Sequence, residues 1–253
     1  KTTQVAALDT DSVAALSTND VKVLSSAQVK ALTTDQIVAL TTDQVGVLTT
    51  SQVAALTTTQ ISAIETGDLA AFGTTQMAAL TSAQTAALTT NQIAAIETGD
   101  IGALTTAAIR GLSTDAIVAL TTDQVGVLTT AQVAALTTTQ IAAIETGDIA
   151  GFDTTQIKAL SSAQVAALTT DQVAAIETGD IGSLTTAAIQ GMTTSGIQSL
   201  TTDQVAALTT AQVAALKTTQ VAALDTDSVA ALSTSDVKVL TSAQVKALTT
   251  DQI

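Results

Sequence analysis

A large apolar side chain returns at every eighth residue from Leu8 to Leu248, with no insertion or deletion to break the phase. Of these 31 positions 24 are Leu, and the others are Ile64, Phe72, Ile96, Ile144, Phe152, Ile176 and Met192. A period this short and strict leaves little room for an ordinary globular core. Units repeated along a line bury their apolar residues against their neighbours, in a quasi-one-dimensional array.

Numbering the unit by residue number modulo eight places Leu at position 8. Position 2 is Thr or Ser in all 32 copies, and position 5 is Val, Ile, Leu or Met in all but one, where Thr85 stands. Position 4 is Gln in 20 copies, so the typical octad reads Leu-Thr-Thr-Asp-Gln-Val followed by two small residues, as from Leu40. Thr41 followed three residues later by Gln44 is a capping-box pattern, flanked by Leu40 and Val45 in the places of a hydrophobic staple. Each octad therefore predicts one helix start. Positions 1 and 2 both offer a hydroxyl; position 1 is preferred as the cap, and the strict hydroxyl at position 2 suggests a bond of its own to a neighbouring unit.

One long helix is excluded. At about 100° per residue the Leu stripe would precess by about 80° per octad and visit every side of the helix, so no partner could cover it. The chain must turn once per octad. A β-solenoid is the rival, because Thr, Val and Ile favour strands. Against it stand the Ala-rich positions 6 and 7, the absence of Pro, and an apolar pair at positions 5 and 8 that would fall on opposite faces of a strand. The expected fold is all-α: a solenoid of short helices, one per eight-residue repeat, with positions 5 and 8 facing a narrow core lined otherwise by Ala. Gly46, Gly102 and Gly111 mark expected places of close approach between turns, and Phe72 and Phe152 read as core.

Residues 1–253 read as one continuous solenoid with internal duplications. Residues 41–120 and 121–200 are two copies of a ten-octad block, identical at 61 of 80 positions. Residues 217–253 match 1–37 at 35 of 37 positions, differing only at Asn19 against Ser235 and Ser25 against Thr241. The expectation is an internal segment of a longer protein with a larger period of 216 residues.

The net charge of −14 opposes nucleic acid and anionic membrane surfaces, and two Phe with no Tyr or Trp offer no platform for bases. With no Cys and no His, disulfides, thiolate or imidazole metal sites and Cys- or His-based nucleophiles are excluded. Polar residues interrupt every apolar run far short of the ~18 needed to span a bilayer, so the chain reads as soluble, without membrane insertion or signal peptide. The Glu-Thr-Gly-Asp tetrads at Glu65–Asp68, Glu97–Asp100, Glu145–Asp148 and Glu177–Asp180 invite calcium, but each supplies only two carboxylates and is read as a variant cap. The Thr array raises ice binding, although capping accounts for it. The Lys residues at position 6 (Lys22, Lys30, Lys158, Lys238 and Lys246) read as exposed, and the acidic residues as a solvated face. No catalytic, cofactor-binding or metal-binding residue is expected, and the chain is not expected to be an enzyme.

The unit at Leu168–Ile176 and Leu200–Leu208 resembles the octapeptide repeats of giant repetitive surface or secreted adhesin-like proteins of Gram-negative bacteria. The resemblance implies a structural, extracellular or cell-surface segment: a fibre, adhesin stalk, biofilm filament or sheath, with self-association and a cell-surface or matrix partner. It implies nothing about haem, for which no His is present. The unit also looks like the first helix of the DNA-reading repeats of transcription-activator-like effectors, but the second helix and base-reading loop are missing. The alternative function is a binding module whose outer surface recognises a partner, a carbohydrate or ice.

Overall fold

The structure, a computed structural model, describes residues 1–253. Thirty-one helices of four to six residues follow one another, numbered α1 (Thr2–Ala6) to α31 (Ser242–Ala247), with no strand. The architecture is an all-α solenoid, and the β-solenoid is set aside. Two compact units divide the chain, Lys1–Leu128 and Thr129–Ile253.

Every helix begins at position 2, which makes position 1 the N-cap. Thr41 has extended backbone (φ −78°, ψ 159°), and its Oγ1 accepts from the Gln44 N–H at 3.3 Å. In return Gln44 Oε1 accepts from the Thr41 N–H at 2.8 Å. The predicted capping box is thus formed, and it recurs along the chain wherever Gln holds position 4 after a Thr or Ser. A hydroxyl at the cap competes well for the first free amides of a helix, and this is why each octad restarts the helix at the same place.

The helix stops one turn later because the Leu leaves it. Leu56 is extended (φ −57°, ψ 138°), its N–H closing on Val53 O at 3.1 Å, and the cap Thr57 that follows is extended as well. Two extended residues in succession make the corner. No residue has positive φ, so the corners need neither Pro nor a left-handed Gly.

Within each unit a helix packs on the one three octads further on, as α4 (Ser26–Lys30) does on α7 (Thr50–Ala55) and α26 (Thr202–Ala206) on α29 (Thr226–Ala231). Side chains at position 4 reach four octads back (below), so a superhelical turn takes between three and four octads. The side chains at positions 5 and 8 fill the interior, Phe72, Phe152 and Met192 among them. One expectation is corrected here: Ala does not line the rest of the core. Position 6 is exposed, as at Ala54, position 7 is half-buried, as at Ala55, and the third core position is Gln at position 4. A helix of four to six residues offers few apolar positions, and a Gln whose polar atoms are bonded can be buried beside them.

Candidate functional site: the stitch between turns

The recurring polar constellation of this molecule is the position-4 glutamine. Gln52 shows what it does. Its Oε1 accepts from the Thr49 N–H at 2.7 Å, which completes the cap of its own helix. Its Nε2 donates to Val21 O at 2.7 Å and Leu24 O at 2.8 Å, both on the helix four octads earlier. One amide therefore joins the start of one helix to the end of another: it meets the Leu24 carbonyl just past the helix end, and is a second donor to the Val21 carbonyl, which already accepts from the Leu24 N–H at 3.2 Å.

The same geometry holds in the second unit, where Gln172 Nε2 donates to Ile141 O at 2.9 Å and Ile144 O at 2.6 Å. Gln204 and Gln212 repeat it on Val173 and Ile176 and on Ile181 and Leu184. The sequence offered half of this signal. The capping box identifies the Oε1 bond, whereas the Nε2 bonds span 28 and 31 residues and depend on the length of a superhelical turn. No buried side-chain nitrogen or oxygen lacks a partner.

The Glu-Thr-Gly-Asp tetrads depart from the pattern in a way the sequence did not foresee. Glu65, Glu97, Glu145 and Glu177 stand at the cap but make no side-chain cap bond, so the variant-cap reading is corrected. The carboxylates at position 4 are not part of a solvated face either: Asp68, Asp100, Asp148 and Asp180 are buried. Asp68 accepts from Thr42 Oγ1 at 2.6 Å and Asp180 from Thr154 Oγ1 at 2.5 Å, each from a position-2 hydroxyl three octads earlier. A carboxylate is too short and has no proton to give the carbonyls that Gln reaches, so it binds the donor that lies nearer. Burial, with the neighbouring Glu97 charge, pushes the Asp100 carboxyl up from its ordinary value. The exposed cap Asp153 shows the reverse: bonds from the Thr155 side chain and the Gln156 N–H hold it down.

The position-2 hydroxyl does bond across turns in places, Ser26 Oγ to Ser51 O at 3.0 Å and Thr226 Oγ1 to Asp251 O at 3.1 Å. At Thr50, Thr58 and Thr90 nothing of the kind explains it. The Lys side chains at position 6 are exposed as expected.

In the octads of Ala108 and Ala188, where Ala replaces Gln and Gly stands at position 7, the turns meet by contact of backbone. α14 (Thr106–Gly111) carries Ala108 at position 4 and packs on α11 (Ser82–Ala86) so closely that a Cβ at Gly111 would lie 2.3 Å from Ser82 O. Thr85, the one polar residue at position 5, is fully buried there and its Oγ1 donates to Ala108 O at 2.7 Å. The second unit repeats the approach between α21 (Ser162–Ala167) and α24 (Thr186–Gly191), where a Cβ at Gly191 would lie 2.2 Å from Ser162 O. Gly111 is thus a place of close approach, as expected. Gly46 and Gly102 are not, because a Cβ there would find its nearest neighbour at 3.4 and 3.6 Å, an ordinary contact.

The ALTTAQ repeat model matches this chain seven times in tandem, over residues 13–50, 61–95, 93–130, 141–176, 173–210, 206–234 and 222–253. The motif stands in full at Ala207–Gln212, and its last residue is the stitching glutamine. No curated protein matches the chain. No helix is long and apolar enough to cross a membrane. The matches cover most of the residues, and the chain belongs to the ALTTAQ repeat family.

Proposed function

We propose that this tandem-repeat chain is an architectural segment of an extracellular or cell-surface bacterial fibre, adhesin stalk or sheath, with no catalytic step. The observation that carries the reading is the use made of the Gln amide. The position-4 Gln side chain is consumed in joining one turn to another, at Gln36, Gln44, Gln52 and Gln60 in succession, rather than presented to a ligand. A polymer of such turns gains length with no new contact type, as expected of a linear array. What remains outside is mainly Thr, Ser, Asp and Ala, with the position-6 Lys and a few Val such as Val23 and Val118 among them. The resemblance to repetitive bacterial surface proteins supports the extracellular setting.

Electron microscopy of the protein taken from its native source tests the reading. A fibre whose density repeats with the solenoid turn is the expected result. Discrete short particles would overturn it.

A further inference from the structure

The close approach of α11 and α14 does more than replace a stitch. With Gly111 resting on Ser82, the outer sides of the two helices leave an open trough of about 600 Å³, within the range of about 300–1,000 Å³ usual for small-molecule sites. It lies in the interior of the sequence and wholly within the first unit. Ala83 and Ala107 line it with methyl groups. Ser82 and Thr106 each bring a hydroxyl that is exposed and makes no hydrogen bond within the chain.

Arg110 lines the same trough, and it is the only Arg of the sequence; the other cations at position 6 are Lys. A guanidinium is the side chain suited to a carboxylate, which it can meet with two parallel N–H bonds, whereas an ammonium is a point charge. The duplicated block isolates this residue. There α21 and α24 make the same approach with Ser162, Thr186 and Gly191 in the same places, but Gln190 stands for Arg110 and donates to Ala215 O at 2.8 Å. The lining of the two places differs in that residue alone, and the difference is a charge.

We propose that this trough is a binding site for a uronic-acid unit of an acidic polysaccharide. The carboxylate pairs with the Arg110 guanidinium, the ring hydroxyls bond to Ser82 and Thr106, and the C–H face of the ring lies on the methyl groups of Ala83 and Ala107. A sugar hydroxyl both donates and accepts, as the Ser and Thr hydroxyls do, so the pairing needs no fixed polarity. The other carboxylates at hand are the Asp and Glu side chains of a second copy. Size argues for the sugar, because a single such side chain would fill only a small part of the trough. The site goes beyond the architectural reading and does not depend on it, since a fibre and a discrete particle can each carry it.

The test is titration calorimetry of the whole chain with trigalacturonate, with maltotriose as the neutral control, in about 0.15 M salt, which screens the net charge of −14 beyond about 8 Å. One site per chain is expected, with no heat from maltotriose. Arg110→Gln copies the residue of the second block, so it is expected to keep the fold, as circular dichroism will check, and to weaken binding at least about tenfold. Gln190→Arg is the second variant and is expected to raise the stoichiometry to two. No heat from trigalacturonate, equal heat from maltotriose, Arg110→Gln binding as the parent does, or Gln190→Arg remaining at one site would each overturn the assignment. Sedimentation velocity distinguishes the other source of carboxylate: self-association that Arg110→Gln abolishes would give the trough to a second copy and overturn the polysaccharide.

Discussion

The turn that contains Gln44, Gln52 and Gln60 and the turn that contains Asp100, Ala108 and Ala116 solve one problem by opposite means. In the first, a long polar side chain lies between successive turns and bonds to both. In the second, the side chain is gone, the small residues at 108 and 116 are buried, and at Gly111 the backbone of one helix rests on that of another. One cross-turn bond there runs from Thr85 to Ala108 O, from the earlier helix to the later one, the reverse of the Gln bonds. The octad thus specifies the helix and its corner, while the residues at positions 4 and 7 together set whether neighbouring turns are joined by the Gln amide or by backbone contact.

If the close-packed turn depends on backbone contact, the largest effect belongs to its glycines. Gly191→Ala sets a Cβ 2.2 Å from Ser162 O, which cannot move aside as a side chain could, and should cost at least about 3 kcal/mol in urea unfolding. Gly67→Ala, where a Cβ meets nothing within 4 Å, is the control and should be neutral or stabilising by up to about 1 kcal/mol. Equal losses at the two sites would break the comparison.

The next effect is on the stitched turn. Gln52→Leu keeps the bulk but strands Leu24 O and the Thr49 N–H and leaves Val21 O with the Leu24 N–H alone, and a loss of about 2–3 kcal/mol is expected by the same measurement. The reciprocal change sharpens the contrast. Ala108→Gln should not create a new stitch; its extra volume at a fully buried site should destabilise by about 1–3 kcal/mol. A gain in stability would show that the two kinds of turn are interchangeable.

Thr85→Val should cost about 1 kcal/mol or less, because Val165 holds the equivalent place in the duplicated block and the close approach persists there without the hydroxyl. The smallest effect concerns pH. The folded state raises the Asp100 pKa, so folded Asp100 holds its proton more tightly than unfolded Asp100. Its contribution is then most favourable below the unfolded value and is lost as pH rises through the folded one. Asp100→Asn should therefore raise the melting temperature slightly at pH 7 and change it little at pH 3, read by circular dichroism.

Not every departure from the octad acts through such contacts. A Cβ at Gly196 would come within 2.9 Å of Met192 Cγ, the pair that stands where the first block has Ala116 and Leu112. The unbranched Met side chain takes up space that the missing methyl leaves, a local exchange of volume between two positions four residues apart.

What the sequence determined by itself is what an octad decides locally. The hydroxyl at position 1 with Gln at position 4 starts a helix, the large residue at position 8 ends it, and the eight-residue count prevents continuous helix; these are interactions over three to eight residues, and the capping box and the buried positions 5 and 8 follow from them. The tertiary structure alone decided what lies between turns. Whether Gln52 reaches Val21 and Leu24, whether Asp68 takes Thr42 instead, and whether Gly111 or Gly46 is the close contact all depend on which octads a superhelical turn of three to four units brings together. That number is set by small angles at each corner summed over some thirty residues, and no local residue pattern states the sum.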